Sequence, residues 1–459
     1  IYHCLFRHIA KYLECTNASK TTKSIIYDMN KDVIWTKGHE IKELTYFLDE
    51  DGKFVKQPLA LQLNFMKYTE NIINPNLTVD IGFEDVHGLI NKVPIRSGAG
   101  ILLRFTHPSQ EDEVKLKLII TNINSHTISD KKEVYMLNCK SIGALNNHTT
   151  RVTKKYTGNI GKTVKKILKE TIGVEIKDDN KNFHKVANEC EFFGNYRRPF
   201  KCIADLQRKS ISTTVDKAGA NSGSAGFLFY ETIDGYNYKG IDDIFHGDVE
   251  GDTYFMTPFK AGLDVGNNFK IASEPKFTES HDIIKKLRAG SYSTANWYLD
   301  IITRKVHFNN FKYNQQKDAN GNTIEHIKKA NEDDVTPQSY RQFYSRLILG
   351  TLDKGTTTTA TDGLGLETPQ DQMRLHAQSA ARYSALFSQM LDVTVPMNIS
   401  LRVGTIIDIK FPDLNIDNRS MNSPESGRYM IARLSHEFGN PEGDFTGLTL
   451  VRDSFTINE

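Results

Sequence analysis

The sequence predicts an α+β fold that is mainly β, and three observations support this prediction. Between about residues 58 and 140, apolar residues alternate with other residues, as they do in strands that bury one face. Helical spacing of apolar residues is confined to a few stretches that begin at capping residues or prolines. From Ile399 onward the alternation returns, which indicates a small C-terminal β domain.

Length and composition limit the class of protein. A chain of 459 residues holds several domains, at roughly 100–200 residues per domain. The 58 basic and 56 acidic residues leave a formal charge of +2, so no global field favours nucleic acid or an anionic membrane. No apolar run approaches the ~20 residues of a membrane-spanning helix. The cysteines are widely spaced and form no CxxC motif, which favours folding in a reducing cytoplasm: Cys4, Cys15, Cys139, Cys190 and Cys202.

The first β region contains three alternating segments. Residues 59–65, 77–83 and 114–120 each place an apolar residue at every second position, so each predicts a strand with one buried face. Glycine and proline residues separate the strands as turns: Gly88, Pro94, Gly98, Gly100 and Pro108.

The next segment, residues 151–173, predicts a helix and resembles a phosphate-binding loop only superficially. Gly161-Lys162-Thr163 looks like the end of such a loop, but the loop needs a glycine five positions earlier, where Tyr156 stands. Asn159 instead predicts the N-cap of a helix that ends at Gly173. The predicted buried stripe is Ile160, Val164, Ile167, Leu168 and Ile172. The other face carries lysines that we expect to be solvated or to meet an acidic neighbouring subunit: Lys162, Lys165, Lys166 and Lys169.

A second helix and an aromatic hairpin follow. Pro199 suits a first helical turn, because its missing N–H has no partner there. The apolar face predicted for this helix is Phe200, Ile203, Ala204, Leu206 and Ile211. Residues 227–231 alternate toward Asp234-Gly235, which favours a tight turn, and Tyr236 and Tyr238 alternate away from it. Glu231 and Asp234 could be read as a catalytic carboxylate pair, but turn chemistry alone explains Asp234.

The region after the hairpin is less regular. Residues from about 245 to 290 show weak periodicity and predict an insertion or a loop-rich side domain. Trp297, Leu299 and Ile301 then alternate and predict a long strand that turns at Asn320-Gly321.

Two helices are predicted next, since Thr336-Pro337 and Thr368-Pro369 each place a capping hydroxyl before a proline at the first helical position. The first helix should end near Gly350, and the second should run to about Leu391. The apolar stripe of the first is Tyr340, Phe343, Tyr344, Leu347 and Ile348. That of the second is Met373, Ala377, Ala380, Ser384, Phe387 and Leu391.

Three further sets of residues have side chains suited to a metal site or to catalysis, but they lack the spacing or the neighbours that such sites require. His3, Cys4, His8 and Cys15 have no standard zinc spacing. Residues 318–322 resemble a calcium loop, but Lys329 stands where the closing glutamate belongs. His436 lies on a predicted strand with no nucleophile placed beside it by any motif, so a packed histidine is favoured.

Several segments, in the same order along the chain, resemble the central hub subunit of contractile-tail phage baseplates of the T-even type. They are TENIINPNLTVDI, GLINKVPIRSGAGILLRF and VYMLNCKSIGALNN, then RV-x-K-x-Y-x-G at Arg151, then RPFKCIADLQRKSI and SAGFLFYETIDGYNYKGIDD, and finally ISLRVGTIIDIKFP, SGRYMIARLSHEFGN and FTGLTLVRDS. The resemblance covers roughly residues 57 to 456.

The resemblance implies two tube-protein-like β-barrel domains plus a helix-containing linker domain and a small C-terminal β domain. The expected divisions are an N-terminal extension at 1–57, the first tube-like domain at 58–146, a mixed helical domain at 147–225, the second tube-like domain at 226–350 with its insertion at about 245–290, and a helix with the C-terminal barrel at 351–459. Within the fourth division, the barrel would be assembled from residues 226–244 and 292–350.

The resemblance also implies a structural role without catalytic residues, cofactor or metal. Three copies would form a ring that adapts a threefold tail spike to the sixfold tail tube and surrounds the DNA exit channel. The implied partners are the tail spike, tail tube proteins and other baseplate proteins, with DNA only in transit. The implied location is the baseplate of the virion, after assembly in the host cytoplasm.

Other functions remain open at this point. The same hub role occurs in phage-derived contractile injection or secretion systems. A tail-associated cell-wall hydrolase is disfavoured, because HExxH and GxSxG are absent and no convincing acid pair stands out. Nucleic-acid binding is suggested only by the lysines of residues 154–169.

Overall fold

The structure is a computed structural model, and it describes a large part of the chain in separate ranges. These are 40–50, 53–58, 63–85, 95–107, 110–129, 132–176, 181–212, 225–249, 253–256, 271, 275–279, 283–290, 293–301, 304–312, 344–352, 358–360, 369–387, 389–412, 425–439 and 443–452. The histidines and cysteines considered for zinc, the calcium-like segment at 318–322 and the turn at Asn320-Gly321 lie outside the described residues.

Strands dominate the described residues, which confirms an α+β fold that is mainly β. The strands are β1 (Glu40–Glu50), β2 (Lys53–Pro58), β3 (Leu63–Asn71), β4 (Thr78–Asp85), β5 (Gly100–His107), β6 (Gln110–Ser129), β7 (Lys132–Ser141), β8 (Lys155–Asn159), β9 (Asn188–Phe193), β10 (Phe227–Thr232), β11 (Gly235–Gly240), β12 (Thr253–Phe255), β13 (Lys276–Glu279), β14 (Ser293–Asp300), β15 (Lys305–Lys312), β16 (Arg346–Leu352), β17 (Thr358–Ala360), β18 (Gln389–Pro396), β19 (Ile406–Lys410), β20 (Gly427–Phe438) and β21 (Phe445–Arg452). The helices are α1 (Ile142–Thr149), α2 (Ile160–Ile167), α3 (Pro199–Gln207), α4 (Ile241–His246), α5 (Ile283–Ala289) and α6 (Pro369–Leu386).

One 13-stranded sheet joins the two ends of the described chain. Its hydrogen-bonded order is β13-β18-β21-β20-β3-β4-β7-β6-β5-β1-β2, with β19 paired to β20 and β12 paired to β19. The C-terminal strand β20 pairs with β3 of the first β region, so that Phe438 lies opposite Met66 and Arg433 opposite Asn71. The first β region and the C-terminal strands therefore share one sheet, and the domain boundaries expected from the resemblance stay predictions.

The alternation that predicted strands in the first β region is confirmed. In β4, Val79, Ile81 and Phe83 are buried, and in β6, Val114 and Leu116 are buried between exposed neighbours. One face of each strand thus contributes to the core while the other meets solvent, as the period of two requires.

The predicted helix after Asn159 is also confirmed. The Asn159 side chain accepts a hydrogen bond from the backbone N–H of Lys162, as an N-cap should. Beyond Ile167 the helix widens into a π-helical turn, Leu168–Ile172, and it ends at Gly173, whose φ of 80° is left-handed. All members of the predicted apolar stripe are buried. They form a second core with α3 and one face of the hairpin.

The aromatic hairpin β10–β11 lies between the two hydrophobic cores and contributes to both. Phe227, Phe229, Tyr236 and Tyr238 belong to the core of the α2–α3 region. The alternate residues Leu228 and Tyr230 belong to the core of the large sheet. The register places Thr232 opposite Gly235, so Ile233 and Asp234 form the turn, one residue earlier than predicted. Gly235 follows with a φ of 111°, a value that glycine tolerates best.

Helix α3 begins at Pro199 as predicted but is shorter than its apolar spacing indicated. It ends at Gln207, so Ile211 is not part of its face. Ile211 is buried instead in an isolated bridge to Ala225. The region predicted to be an insertion contains β12, which pairs with β19, and β13, which pairs with β18, so both strands extend the large sheet.

Three predictions in the second half of the chain were wrong in detail. The strand that contains Trp297 ends at Asp300, which already pairs with Lys305 at the start of the antiparallel strand β15, well before Asn320-Gly321. The helix expected to end near Gly350 is contradicted, because Arg346–Leu352 is the strand β16, which pairs in parallel with β14. The helix from Pro369 is confirmed, but it ends at Leu386, and Leu391 lies on the strand β18. Residues 337–343 lie outside the described residues.

Candidate functional site

The second sheet, ordered β15-β14-β16, presents an apolar face to solvent. This apolar sheet face consists of six large side chains, each more than two-fifths exposed: Trp297, Leu299, Val306, Phe308, Leu347 and Leu349. Folded proteins seldom expose so many large apolar side chains together without a binding role.

The strand register places these six side chains next to one another. Trp297 of β14 lies opposite Phe308 of β15 and opposite Leu349 of β16. The rings of Trp297 and Phe308 meet edge to face, with centroids 5.1 Å apart, which is a favourable geometry for an aromatic pair. Leu299 lies opposite Val306 in the next cross-strand pair. The six residues therefore form one continuous patch across three strands.

The opposite face of the same sheet is more polar, although it is the buried one. Thr294, Asn296 and Asp300 of β14 are each at most 2% exposed. The Asn296 side-chain amide donates a hydrogen bond to the Thr294 hydroxyl at 3.1 Å. This arrangement inverts the usual rule that apolar residues face the core and polar ones face water.

Helix α6 covers this polar inner face. Phe311 of β15 packs with Ala377 and Ala381 of the helix. The Tyr298 ring lies 6.2 Å from the ring of His376. Small residues on α6 let the helix approach the sheet closely, which agrees with the small residues that the sequence places in its middle.

Gly350 is required where β16 passes Tyr298. A Cβ atom at Gly350 would lie 2.7 Å from the nearest carbon of the Tyr298 ring. Glycine in a strand interior often marks such a close approach. The inward position of Tyr298 and the pairing of β16 beside it therefore depend on this residue.

The other end of α6 is fixed to the hairpin and to α4. The fully buried Arg382 forms an ion pair with the nearly buried Asp242 of α4. The Tyr383 hydroxyl accepts a hydrogen bond from the backbone N–H of Phe227 at 3.1 Å and donates to the Phe227 carbonyl. A buried ion pair is costly to break because it leaves one charge without its partner. Helix α6 thus connects the second sheet rigidly to the hairpin.

Two carboxylates hold the tip of the hairpin against the large sheet. Glu231 accepts hydrogen bonds from the Leu77 backbone N–H at 3.0 Å and from the Ser141 hydroxyl at 2.5 Å. Glu70 accepts from the backbone N–H of Ile233 at 2.9 Å and, in the next loop, from that of Val403 at 3.0 Å. Burial raises the pKa of both carboxyl groups, and that of Glu231 reaches about 7.

Glu231 and Asp234 have separate partners in this arrangement. Asp234 lies at the turn with its side chain half exposed, and it pairs with the Nε atom of Arg402 at 2.9 Å. Glu231 instead uses its oxygen to bind backbone and hydroxyl groups inside the fold. Glu231 therefore joins the hairpin to the large sheet, whereas Asp234 joins its turn to Arg402.

The remaining residues with potential chemistry are also engaged in packing. Gly161 lies in the first turn of α2, beside the Asn159 cap, and not in a phosphate loop. His436 is buried on β20, stacks on Tyr68 with centroids 5.7 Å apart and contacts the Thr446 hydroxyl at 2.9 Å. Burial raises the pKa values of the described cysteines above that of a free thiol, which disfavours reactive thiolates: Cys139, Cys190 and Cys202.

Within the described ranges of the chain, no group of three or more histidine, cysteine, aspartate or glutamate residues is arranged to hold a metal ion. Among the described helices, none is long and apolar enough to cross a bilayer.

The sequence signals missed the apolar sheet face and the buried ion pair. Alternation at Trp297 and Leu299 was visible, but alternation alone does not tell which face of a strand is buried. Arg382 and Asp242 are separated widely along the chain, so no local spacing in the sequence pairs them. Contacts of this kind are visible only once the elements are packed.

Comparison with solved structures shows the fold class to which this architecture belongs. No family model and no curated protein matches the chain. A tail protein from Neisseria meningitidis MC58 is similar in structure, with a TM-score of 0.52 and 10% sequence identity over 91% of this chain and 97% of that chain. The chain therefore shares the fold of a tail protein over nearly its whole length.

Two more distant structures are also tail proteins. The 43 kDa tail protein of prophage MuSo2 from Shewanella oneidensis has a TM-score of 0.48 and 9% identity, over 90% of this chain and 97% of that one. The prophage tail protein gp18 from Listeria monocytogenes EGD-e has a TM-score of 0.44 and 9% identity, over 90% and 95%.

Proposed function

We propose that this chain is a structural hub protein of a contractile-tail baseplate. Three copies form a ring that adapts the threefold tail spike to the sixfold tail tube and surrounds the channel through which DNA leaves. The observation that carries the proposal is the fold shared with the Neisseria tail protein, which spans 91% of this chain. The segments that resemble the hub family along the sequence support the same role.

The side-chain chemistry is that of an assembly component. The buried carboxylates Glu70 and Glu231 bind backbone groups of the fold, and His436 packs against Tyr68. The described surface includes the apolar sheet face of β15-β14-β16. Burial of apolar surface is the main driving force of stable protein association. In this role the chain is located in the virion baseplate and needs no cofactor.

The partners that follow from this role are the tail spike, the tail tube proteins and other baseplate proteins. A ring built from a single chain type also needs contacts between copies. DNA passes through the channel without sequence recognition, which agrees with the nearly balanced charge of the chain.

Electron microscopy of the purified full chain mixed with its neighbouring spike protein tests the proposal. Particles sorted by symmetry should show threefold rings with a sixfold-looking rim around an open channel. Compact monomers without rings, over a range of concentrations and with the spike present, would contradict the hub role. Turnover of purified peptidoglycan by the chain would instead support the hydrolase alternative.

A further inference from the structure

We propose that the apolar sheet face is an interface between subunits and that its occupant is a second copy of this chain. The face is the patch formed by Trp297, Leu299, Val306, Phe308, Leu347 and Leu349. This inference rests on the proposed ring, because it names the surface through which copies meet. The reasons are the chemistry of the face, its area and the construction of the sheet behind it.

The centre of the face favours an uncharged occupant. The outward positions that lie beside the six residues in the register, Ala295, Asn310 and Thr351, are uncharged, and the charged Lys312 comes only at the end of β15, opposite Ser293. Nucleic acid would need lysine or arginine side chains here to neutralise phosphates. An acidic or basic protein partner would lose hydration of its charges without gaining a counter-charge. The face therefore fits another largely apolar, uncharged protein surface.

The area of the face matches what a stable interface between subunits requires. From the exposed fractions of the six side chains, and with ~150–250 Å² for a large side chain, the face exposes roughly 600 Å² of apolar surface. Each partner of a standard interface contributes ~800 Å², of which somewhat more than half is apolar. The face alone thus supplies the apolar area of one side of a complete interface.

The sheet behind the face is built to keep it outward. Asn296 and Asp300 are buried on the inner side of the sheet, which packs on α6 through Phe311. Turning the sheet over to bury its apolar side chains would break this packing and expose the inner side. The Arg382–Asp242 ion pair and the bonds of Tyr383 to Phe227 hold α6 to the hairpin. The monomer therefore cannot cover the patch by rearranging this sheet without breaking buried polar contacts.

A second copy of the chain is the occupant that we infer, because each copy that exposes this face can also provide the surface that covers it on another copy. The formal charge of +2 on 459 residues means that copies repel each other little. Strands β15 and β16 each pair only with β14 among the described strands, so the patch extends to both edges of its sheet. In a ring, such a face meets a different surface of the next copy, and the contact repeats until the ring closes.

The test uses Phe308→Lys in the full-length chain. Phe308 is 56% exposed and its ring contacts that of Trp297 on the same outward face, so the isolated subunit should still fold. Ile128→Lys is the matched control, since Ile128 is also exposed and apolar but lies on the β6–β7 hairpin. Sedimentation velocity over a concentration series should show association of the wild type and of Ile128→Lys. Phe308→Lys should raise the dissociation constant at least about tenfold, because a lysine would be buried without a partner.

Trp297 provides a second and independent measurement. The chain has two tryptophans, so replacing Trp35 by phenylalanine leaves Trp297 as the single reporter on the face. Its emission should shift to shorter wavelength as the protein associates, and Phe308→Lys should abolish the shift. A change in mass without any change in Trp297 emission would overturn the inference, because the copies would then meet elsewhere.

Other outcomes separate this inference from the proposed function. Trimeric rings formed by Phe308→Lys as readily as by wild type would overturn the inference while the hub role stands. Loss of spike binding with unchanged self-association would also overturn it, and would assign the face to the spike. Wild type that stays monomeric while Phe308→Lys lowers Tm would show that the chain covers the face itself. Association through the face into dimers without rings would support the inference and contradict the hub role.

Discussion

Replacing Glu231 by glutamine should change how the stability of the protein depends on pH. The Glu231 carboxyl accepts hydrogen bonds from the Leu77 backbone N–H and the Ser141 hydroxyl, both through the same oxygen. A glutamine carbonyl can keep these two contacts, so the variant should fold. What it removes is a buried negative charge close to the second buried carboxylate, Glu70.

The magnitude follows from the pKa of the folded state. Burial, together with the Glu70 charge, raises the pKa of Glu231 from an ordinary 4.5 to about 7. The folded state then binds this proton more tightly than the unfolded chain does. Its contribution to stability is complete below about pH 4.5 and is lost as the pH rises through 7. The difference between the pKa values of Glu231 in the folded and the unfolded state corresponds to roughly 3 kcal/mol of unfolding free energy, since one pKa unit is worth ~1.4 kcal/mol.

Urea unfolding of the wild type and Glu231→Gln at a series of pH values between about 4.5 and 7.5 measures this effect. As the pH rises across that interval, the wild type should lose roughly 3 kcal/mol of unfolding free energy relative to Glu231→Gln. Asp234→Asn is the matched control, because it removes an exposed carboxylate of the same hairpin and should leave the wild-type slope in place. An identical slope in wild type and Glu231→Gln would refute the reasoning.

Three other changes test contacts that position the sheets and helices. Arg382→Met leaves Asp242 buried without its partner, so thermal unfolding should show a loss of about 3–5 kcal/mol, and adding Asp242→Asn should restore part of it. No restoration would contradict a direct pairing. Gly350→Ala places a methyl group against the Tyr298 ring and should cost about 1–3 kcal/mol, seen as a lower urea midpoint, whereas an unchanged midpoint would mean that β16 lies farther from this ring. Asn159→Ala removes the N-cap of α2 and also the hydrogen bond from the Asn159 amide to the Val186 carbonyl, so it should cost at least about 1 kcal/mol, and Asn159→Ser should recover in the same assay only the part that belongs to the cap.

Sequence reasoning worked best where a structural signal is local. The period of two at Val79 and Ile81, the cap at Asn159 and the proline at Pro199 each act within a few residues, and the structure confirms all three. The hairpin turn was displaced by one residue because the sequence cannot distinguish the residues of the turn from the glycine that follows it. These features depend on backbone geometry and on capping hydrogen bonds, which are determined by residues close together in the sequence.

The errors occurred where the choice depended on a distant partner. Tyr344, Leu347 and Ile348 have helical spacing, but Leu347 and Leu349 also alternate as in a strand. The strand is formed because β14 offers its backbone hydrogen bonds to β16 in parallel register, about 50 residues away in the chain. The predicted strand from Trp297 was too long for a related reason, since pairing of Asp300 with Lys305 closes an early turn.

The sequence by itself therefore determined that this protein is mainly β, that it carries an aromatic hairpin and where several of its elements begin. Only the tertiary structure decided which side of the second sheet is buried. Alternation at Trp297 and Leu299 is symmetric between the two faces of a strand, so it cannot specify which one meets solvent. That choice was made by α6, which packs on the polar side through Ala377 and Ala381 and leaves the apolar side outward.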